Sequence, residues 1–144
     1  MARRMIFTIS QTQSHSLRVA AKTHRLDLVI LYGSATRGNS ISSDSDIDIA
    51  VFRHGGIGSD EYLSIANDIQ SVFSGKTIDV KMLHNISPLF RFEVMRSGSL
   101  LFGDPTLFQE LYLYSYRDYQ ESRPLYSALS IIGDKRQQQL SAGL

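Results

Sequence analysis

Leu26-Asp27-Leu28-Val29-Ile30-Leu31-Tyr32, followed at once by Gly33-Ser34, and Asp46-Ile47-Asp48-Ile49-Ala50-Val51-Phe52 are the stretches on which the fold turns. The first is short, β-branched and almost wholly apolar, the pattern of a strand buried on both faces. The second alternates. Because a strand repeats every two residues, Asp46 and Asp48 point one way and Ile47, Ile49 and Val51 the other, which predicts a half-buried strand with acid on one face.

Outward from these strands, the elements alternate. Gln11–Thr23 carries a moderate helical pattern on Leu17, Val19, Ala20 and Ala21. After the glycine-rich turn at His54–Gly58, Ser59 with Asp60 and Glu61 signals a helix start. Tyr62, Ile65, Ala66, Ile69, Val72 and Phe73 then recur at helical spacing up to Gly75. Thr77–Leu83 alternates again, with Ile78, Val80 and Met82 on one side and Asp79 and Lys81 on the other. Ser87-Pro88 is an N-cap and first-turn pair opening a helix to about Arg96, Ser99–Phe102 adds a short strand, and Asp104-Pro105 opens a Leu- and Tyr-rich helix. That last helix is expected to break or kink near Pro124. The tail Lys135–Leu144 is expected to fray. The expected class is α/β, an α+β two-layer domain with a small mixed β-sheet and helices packed on one face. It occupies residues 1–144 as one domain, with a C-terminal helical extension over about 105–133.

Composition narrows the functions. The 144 residues are 42% hydrophobic and carry 15 Lys and Arg against 14 Asp and Glu. That balance supplies no overall basic field, so direct nucleic-acid binding is not expected. The absence of cysteine removes disulfide scaffolds, thiolate zinc sites and cysteine nucleophiles. No stretch approaches the ~20 apolar residues of a membrane span, and the expectation is a cytoplasmic protein with no membrane partner.

The chemistry concentrates in Gly33-Ser34-Ala35-Thr36-Arg37-Gly38 and in Asp46-Ile47-Asp48. Glycine after a strand permits a tight turn and leaves no side chain between amide N–H groups and an anion. Ser34 would present its hydroxyl and nearby N–H groups to a phosphate. Arg37 is read as a phosphate clamp, the alternative being a solvated loop charge. Carboxylates at i and i+2 repel each other unless a hard divalent cation neutralises them, and an all-oxygen set favours Mg²⁺ or Mn²⁺. Asp79 takes the equivalent place on the next strand. Three carboxylates beside a phosphate-cradling loop describe metal-assisted displacement at phosphorus.

Two decoys are set aside. Asp44-Ser45-Asp46-Ile47-Asp48 mimics an EF-hand start, yet Ile49 and Gly55 stand where the loop needs Gly and Glu. Gly75-Lys76-Thr77 mimics the end of a P-loop, but Gln70 replaces the first glycine and a strand follows where a helix is required. The four histidines show no ligand spacing. Tyr112, Tyr114, Tyr116 and Tyr119 cannot all face one side of a helix; core packing accounts for part of the set, and a partner-binding face is the second reading.

Gly33-Ser34, Asp46-x-Asp48 and Asp79, with Arg37-Gly38 and Ser45-Asp46, resemble the signature of the DNA polymerase β-like nucleotidyltransferases. The small size is similar to the minimal nucleotidyltransferase branch, and the helix-rich ending to the MntA antitoxins that accompany HEPN-domain toxins. The spacer before the Asp pair is one residue longer than the commonest form. The resemblance implies the nucleotidyltransferase fold, with Gly33, Ser34 and Arg37 on the nucleotide phosphates. It also implies Asp46, Asp48 and Asp79 as the catalytic and metal-binding residues, with Asp79 helping to deprotonate the attacking hydroxyl. The implied activity is Mg²⁺-dependent transfer of AMP from ATP to a hydroxyl of a HEPN toxin, an antitoxin function; Mn²⁺ would also serve, and homo-oligomers are compatible. Two alternatives stand beside it: an aminoglycoside-type small-molecule nucleotidyltransferase, and a non-catalytic module that silences a toxin by covering it.

Overall fold

Strand β1 (Leu28–Tyr32) is buried at all five positions, so both of its faces must be covered, and the architecture follows from that. The computed structural model of the chain describes residues 8–33 and 47–142. Helix α1 (Gln11–Thr23) starts at a capping box: the Gln13 N–H donates to Ser10 Oγ at 3.1 Å, and the Ser10 N–H to Gln13 Oε1 at 3.0 Å. After β1 come β2 (Ile47–Phe52), α2 (Ser59–Val72) and β3 (Ile78–Met82), then a single 3₁₀ turn, Leu83–Asn85. They are followed by α3 (Pro88–Ser97), β4 (Ser99–Gly103) and α4 (Pro105–Ala142).

The sheet is mixed, in the order β3-β2-β1-β4, with β1 antiparallel to β2 and β4, and β2 parallel to β3. On one face Val29, Leu31, Ile47, Ile49, Val51 and Val80 meet Leu17 and Ala21 of α1 and Ile65 and Ile69 of α2. On the other, Leu28, Ile30, Tyr32 and Ala50 meet Leu83 and, from α3, Val94 and Met95, with Leu107, Phe108, Leu111 and Tyr112 of α4 packed behind them. The mixed α+β sheet is as expected. The helices, however, cover both faces rather than one, because a strand apolar on alternate and intervening positions alike cannot leave either side to water.

Two further differences concern α4. It continues through Pro124 and on to Ala142, past both the expected break and the expected end of the extension. Proline removes one N–H donor from the ladder, and Pro124 is exposed, where water can satisfy the carbonyl left behind. The tyrosines divide as two helix faces require. Tyr112, Tyr116 and Tyr119 gather around Phe92 of α3, Tyr119 stacking on it at 5.1 Å and 5°. Tyr114 points away from that cluster and is exposed.

Candidate active site

Strand pairing puts the site together. In the antiparallel pair Tyr32 lies opposite Asp48, and in the parallel pair Asp48 lies opposite Asp79. Residues in register project from the same face of a sheet, so Tyr32, Asp48 and Asp79 form a row across three neighbouring strands. The next rung inward reads Ile30, Ala50, Lys81. The alternation read in each strand separately therefore becomes a shared acidic edge only through this register. Tyr62 of α2 helps hold that edge, its hydroxyl donating to the Val80 carbonyl at 2.8 Å, beside Asp79.

Gly33 closes the row at the end of β1. It adopts φ +82°, a left-handed conformation that favours glycine. A Cβ built on it would lie 2.4 Å from Asp48 Oδ2. The carboxylate thus occupies the space that any other residue would fill.

These residues border a cleft of about 320 Å³. Its strand side is made by Tyr32, Gly33, Asp48, Asp79 and Lys81, and its helix side by Phe90, Glu93, Val94 and Ser97, one stripe of α3 at helical spacing. Ser87 caps that helix, accepting from the Phe90 N–H at 3.2 Å. Phe90 meets the ring of Tyr32 edge-on, with centroids 5.9 Å apart. Burial, and then the negative charge of Asp48 and Asp79, raise the Tyr32 phenol above its ordinary value, with Tyr62 adding a smaller push. Tyr32 therefore faces the carboxylates as a neutral hydroxyl. Lys81 Nζ stands 3.6 Å from Asp79 Oδ2.

Larger hollows among the described residues, of about 640 and 520 Å³, lie near Asp27 before the start of β1, at the end of the strand away from Gly33. Their acids have internal employment. Asp27 accepts from the His54 backbone N–H at 2.7 Å, Glu61 pairs with Arg53, and Asp104 accepts from the Thr106 N–H at 2.9 Å. Size alone thus points away from the facing carboxylates, and the chemistry outweighs it.

Of the six site residues expected from the sequence, Gly33, Asp48 and Asp79 come together at this cleft; Ser34, Arg37 and Asp46 lie outside the described residues. Among the described residues no three His, Cys, Asp or Glu side chains gather as a metal site. Asp48 and Asp79, paired in register, are hard oxygen donors with no histidine among the described residues of the cleft wall, a set that fits Mg²⁺ or Mn²⁺. Alternation along β3 puts Lys81 on the Asp79 face and gives it no task. Nothing in the sequence pattern marks Tyr32, Phe90 or Glu93 for the site, since no spacing in α3 says which neighbour its stripe meets.

The profile of the "Polymerase beta, Nucleotidyltransferase" family matches residues 17–106, which run from the middle of α1 to the start of α4 and include the described cleft residues. The chain belongs to this nucleotidyltransferase family. Solved nucleotidyltransferase-fold structures agree in architecture. A chain of a toxin–antitoxin crystal structure with AMP-PNP superposes with a TM-score of 0.71 at 22% identity, over 85% of this chain and 98% of that one. A chain of the toxin–antitoxin MntA–HepT gives 0.68 at 20% identity, over 88% and 99%. A complex of tri-AMPylated Shewanella oneidensis HEPN toxin with MNT antitoxin gives 0.67 at 21% identity, over 88% and 98%. No curated protein sequence matches the chain.

Proposed function

We propose that this nucleotidyltransferase transfers AMP from ATP to a hydroxyl of a HEPN-domain partner and thereby acts as an antitoxin. The observation that carries the reading is the register pairing of Asp48 with Asp79 beside Gly33, whose missing side chain leaves room for the Asp48 carboxylate. The similar structures support the choice of nucleotide and partner, one holding AMP-PNP and another an AMPylated HEPN toxin.

Asp48 and Asp79, with Asp46, would hold Mg²⁺ or Mn²⁺. A cation bound there supplies neutralisation of phosphate charge and lowers the pKa of a nearby hydroxyl. Gly33, Ser34 and Arg37 bind and orient the triphosphate. The acceptor oxygen forms a bond to the α-phosphorus as the bond to the bridging oxygen breaks. Pyrophosphate leaves, and the hydroxyl proton passes to the Asp79 carboxylate. Tyr32 and Phe90, edge to face, form an aromatic wall of the cleft beside the carboxylates. ATP as the nucleotide donor would put the reaction in the cytoplasm. Among the described residues no helix is long and apolar enough to cross a membrane.

Incubation with labelled ATP, Mg²⁺ and a HEPN-domain protein tests the proposal. Label should appear on the partner and vanish with Asp46→Ala, Asp48→Ala or Asp79→Ala. Label confined to small hydroxyl compounds would establish the aminoglycoside-type reading instead. Toxin neutralisation undiminished in the triple Asp→Ala variant would establish a covering role.

A further inference from the structure

Lys81 has no part in the reaction outlined above, yet it lies in the same cleft. It stands two residues beyond Asp79 on the same face of β3, next to Ala50 in register. Among the described residues that line the cleft it is the one cation, against Asp48, Asp79 and Glu93. Glu93 already pairs with Arg96, at 2.7 Å. The distance from Lys81 Nζ to Asp79 Oδ2, 3.6 Å, is beyond hydrogen-bond reach, so charge alone holds the ammonium there. Both side chains are more than two-fifths exposed, at 43% and 44%, which weakens the attraction and leaves the long stem free to swing.

From this geometry we infer that Lys81 is the resident counter-ion of the carboxylate edge and that it changes partner when the site fills. Without a divalent cation it neutralises Asp79. A divalent cation on the carboxylates repels it, and an ammonium has three donors and no acceptor. Its new partner is therefore an anion in the same cleft, a phosphate oxygen of the bound nucleotide. Lys81 then competes with the metal in the empty protein and assists the nucleotide in the loaded one. This inference rests on Asp48 and Asp79 being the cation's ligands.

Mn²⁺ binding measured by electron paramagnetic resonance without nucleotide, followed by calorimetric titration of a non-hydrolysable ATP analogue at saturating Mn²⁺, separates the two roles. Lys81→Met and Lys81→Gln should bind Mn²⁺ at least about fivefold more tightly, since even at the dielectric of bulk water one unit charge about 4 Å from another is worth ~1 kcal/mol. The same variants should bind the analogue about tenfold more weakly, the loss of one charge-assisted contact. Lys81→Arg should follow the wild type in both. Opposite signs in the two titrations are the signature, since a general loosening of the fold would weaken both. Unchanged Mn²⁺ affinity in Lys81→Met and Lys81→Gln, with Mn²⁺ binding by the wild type abolished in Asp48→Asn, overturns the inference and leaves the metal site standing. Wild-type protein that takes up no Mn²⁺ overturns both.

Discussion

Replacing Gly33 by alanine separates backbone strain from damage to the site, because Gly55 provides a matched control. The two glycines have nearly the same φ, +82° and +83°. An alanine methyl at Gly55 meets nothing within 4 Å, whereas at Gly33 it lies 2.4 Å from Asp48 Oδ2 and 3.3 Å from Asp48 Cγ. Holding alanine in the left-handed region costs ~1–2 kcal/mol at either position, offset in part by the reduced freedom of the unfolded chain. The additional clash at Gly33 is with the tip of a side chain, and turning that carboxylate off its rotamer costs a further ~0.5–1.5 kcal/mol. The stability difference between the variants is therefore modest. The functional difference is not, since a ligand displaced by about 1 Å typically costs about 100-fold in rate. Urea unfolding should show Gly55→Ala losing up to ~1.5 kcal/mol and Gly33→Ala ~0.5–1.5 kcal/mol more, with unchanged m-values. Mn²⁺ binding and AMP transfer should be preserved in Gly55→Ala and lost in Gly33→Ala. Gly33→Ala protein that binds Mn²⁺ and transfers AMP as well as Gly55→Ala would refute the claim that the missing Cβ makes room for the carboxylate.

Two other expectations concern the support behind the site. Arg91 of α3 donates from Nε to the Leu83 carbonyl at 2.8 Å, from a terminal nitrogen to the His84 and Ile86 carbonyls at 3.4 and 3.3 Å, and to Asp118 of α4 at 3.2 Å. Arg91→Met strands those acceptors in a half-buried place and should cost ~2–4 kcal/mol in urea unfolding, with Asp118→Asn costing less; a loss for Arg91→Met no greater than that of Asp118→Asn would show that the carbonyl contacts contribute nothing. His84 stacks on Phe52 at 5.0 Å, and its Nδ1 is buried with no hydrogen-bond partner among the described residues. Burial, and then the Arg91 charge, lower its pKa from the ordinary 6.5. The unfolded chain then binds more protons between the two values, so this contribution to stability is complete above pH 6.5 and is lost as pH falls through the depressed folded value. Unfolding midpoints of the wild type should decline on acidification through that window, and His84→Phe, which keeps the stack, should flatten the decline. Parallel pH profiles for the two proteins would contradict the assignment.

Much of the fold was legible because its signals are local. The apolar run Leu28–Tyr32, ended by glycine, announced a strand covered on both sides, and the expectation of helices on one face overlooked that consequence. Alternation in Ile47–Phe52 and Ile78–Met82 placed Asp48 and Asp79 each on the polar face of its strand. The Ser87-Pro88 pair marked where α3 begins. The local proline penalty predicts a break at Pro124, but the exposed turn there forfeits only one hydrogen bond and α4 continues.

What the chain's order of residues determined by itself is therefore the chemistry available: a glycine bend, acids on polar strand faces, a lysine at the same spacing. Tertiary structure alone decided that β2 and β3 run parallel with Asp48 opposite Asp79, that Tyr32 joins their row, and that the Phe90–Glu93 stripe of α3 forms the facing wall. The physical reason is that periodicity specifies which side of an element a residue occupies. Which elements become neighbours, and at what offset, is set by burying both faces of β1 at once, a condition that no single segment contains.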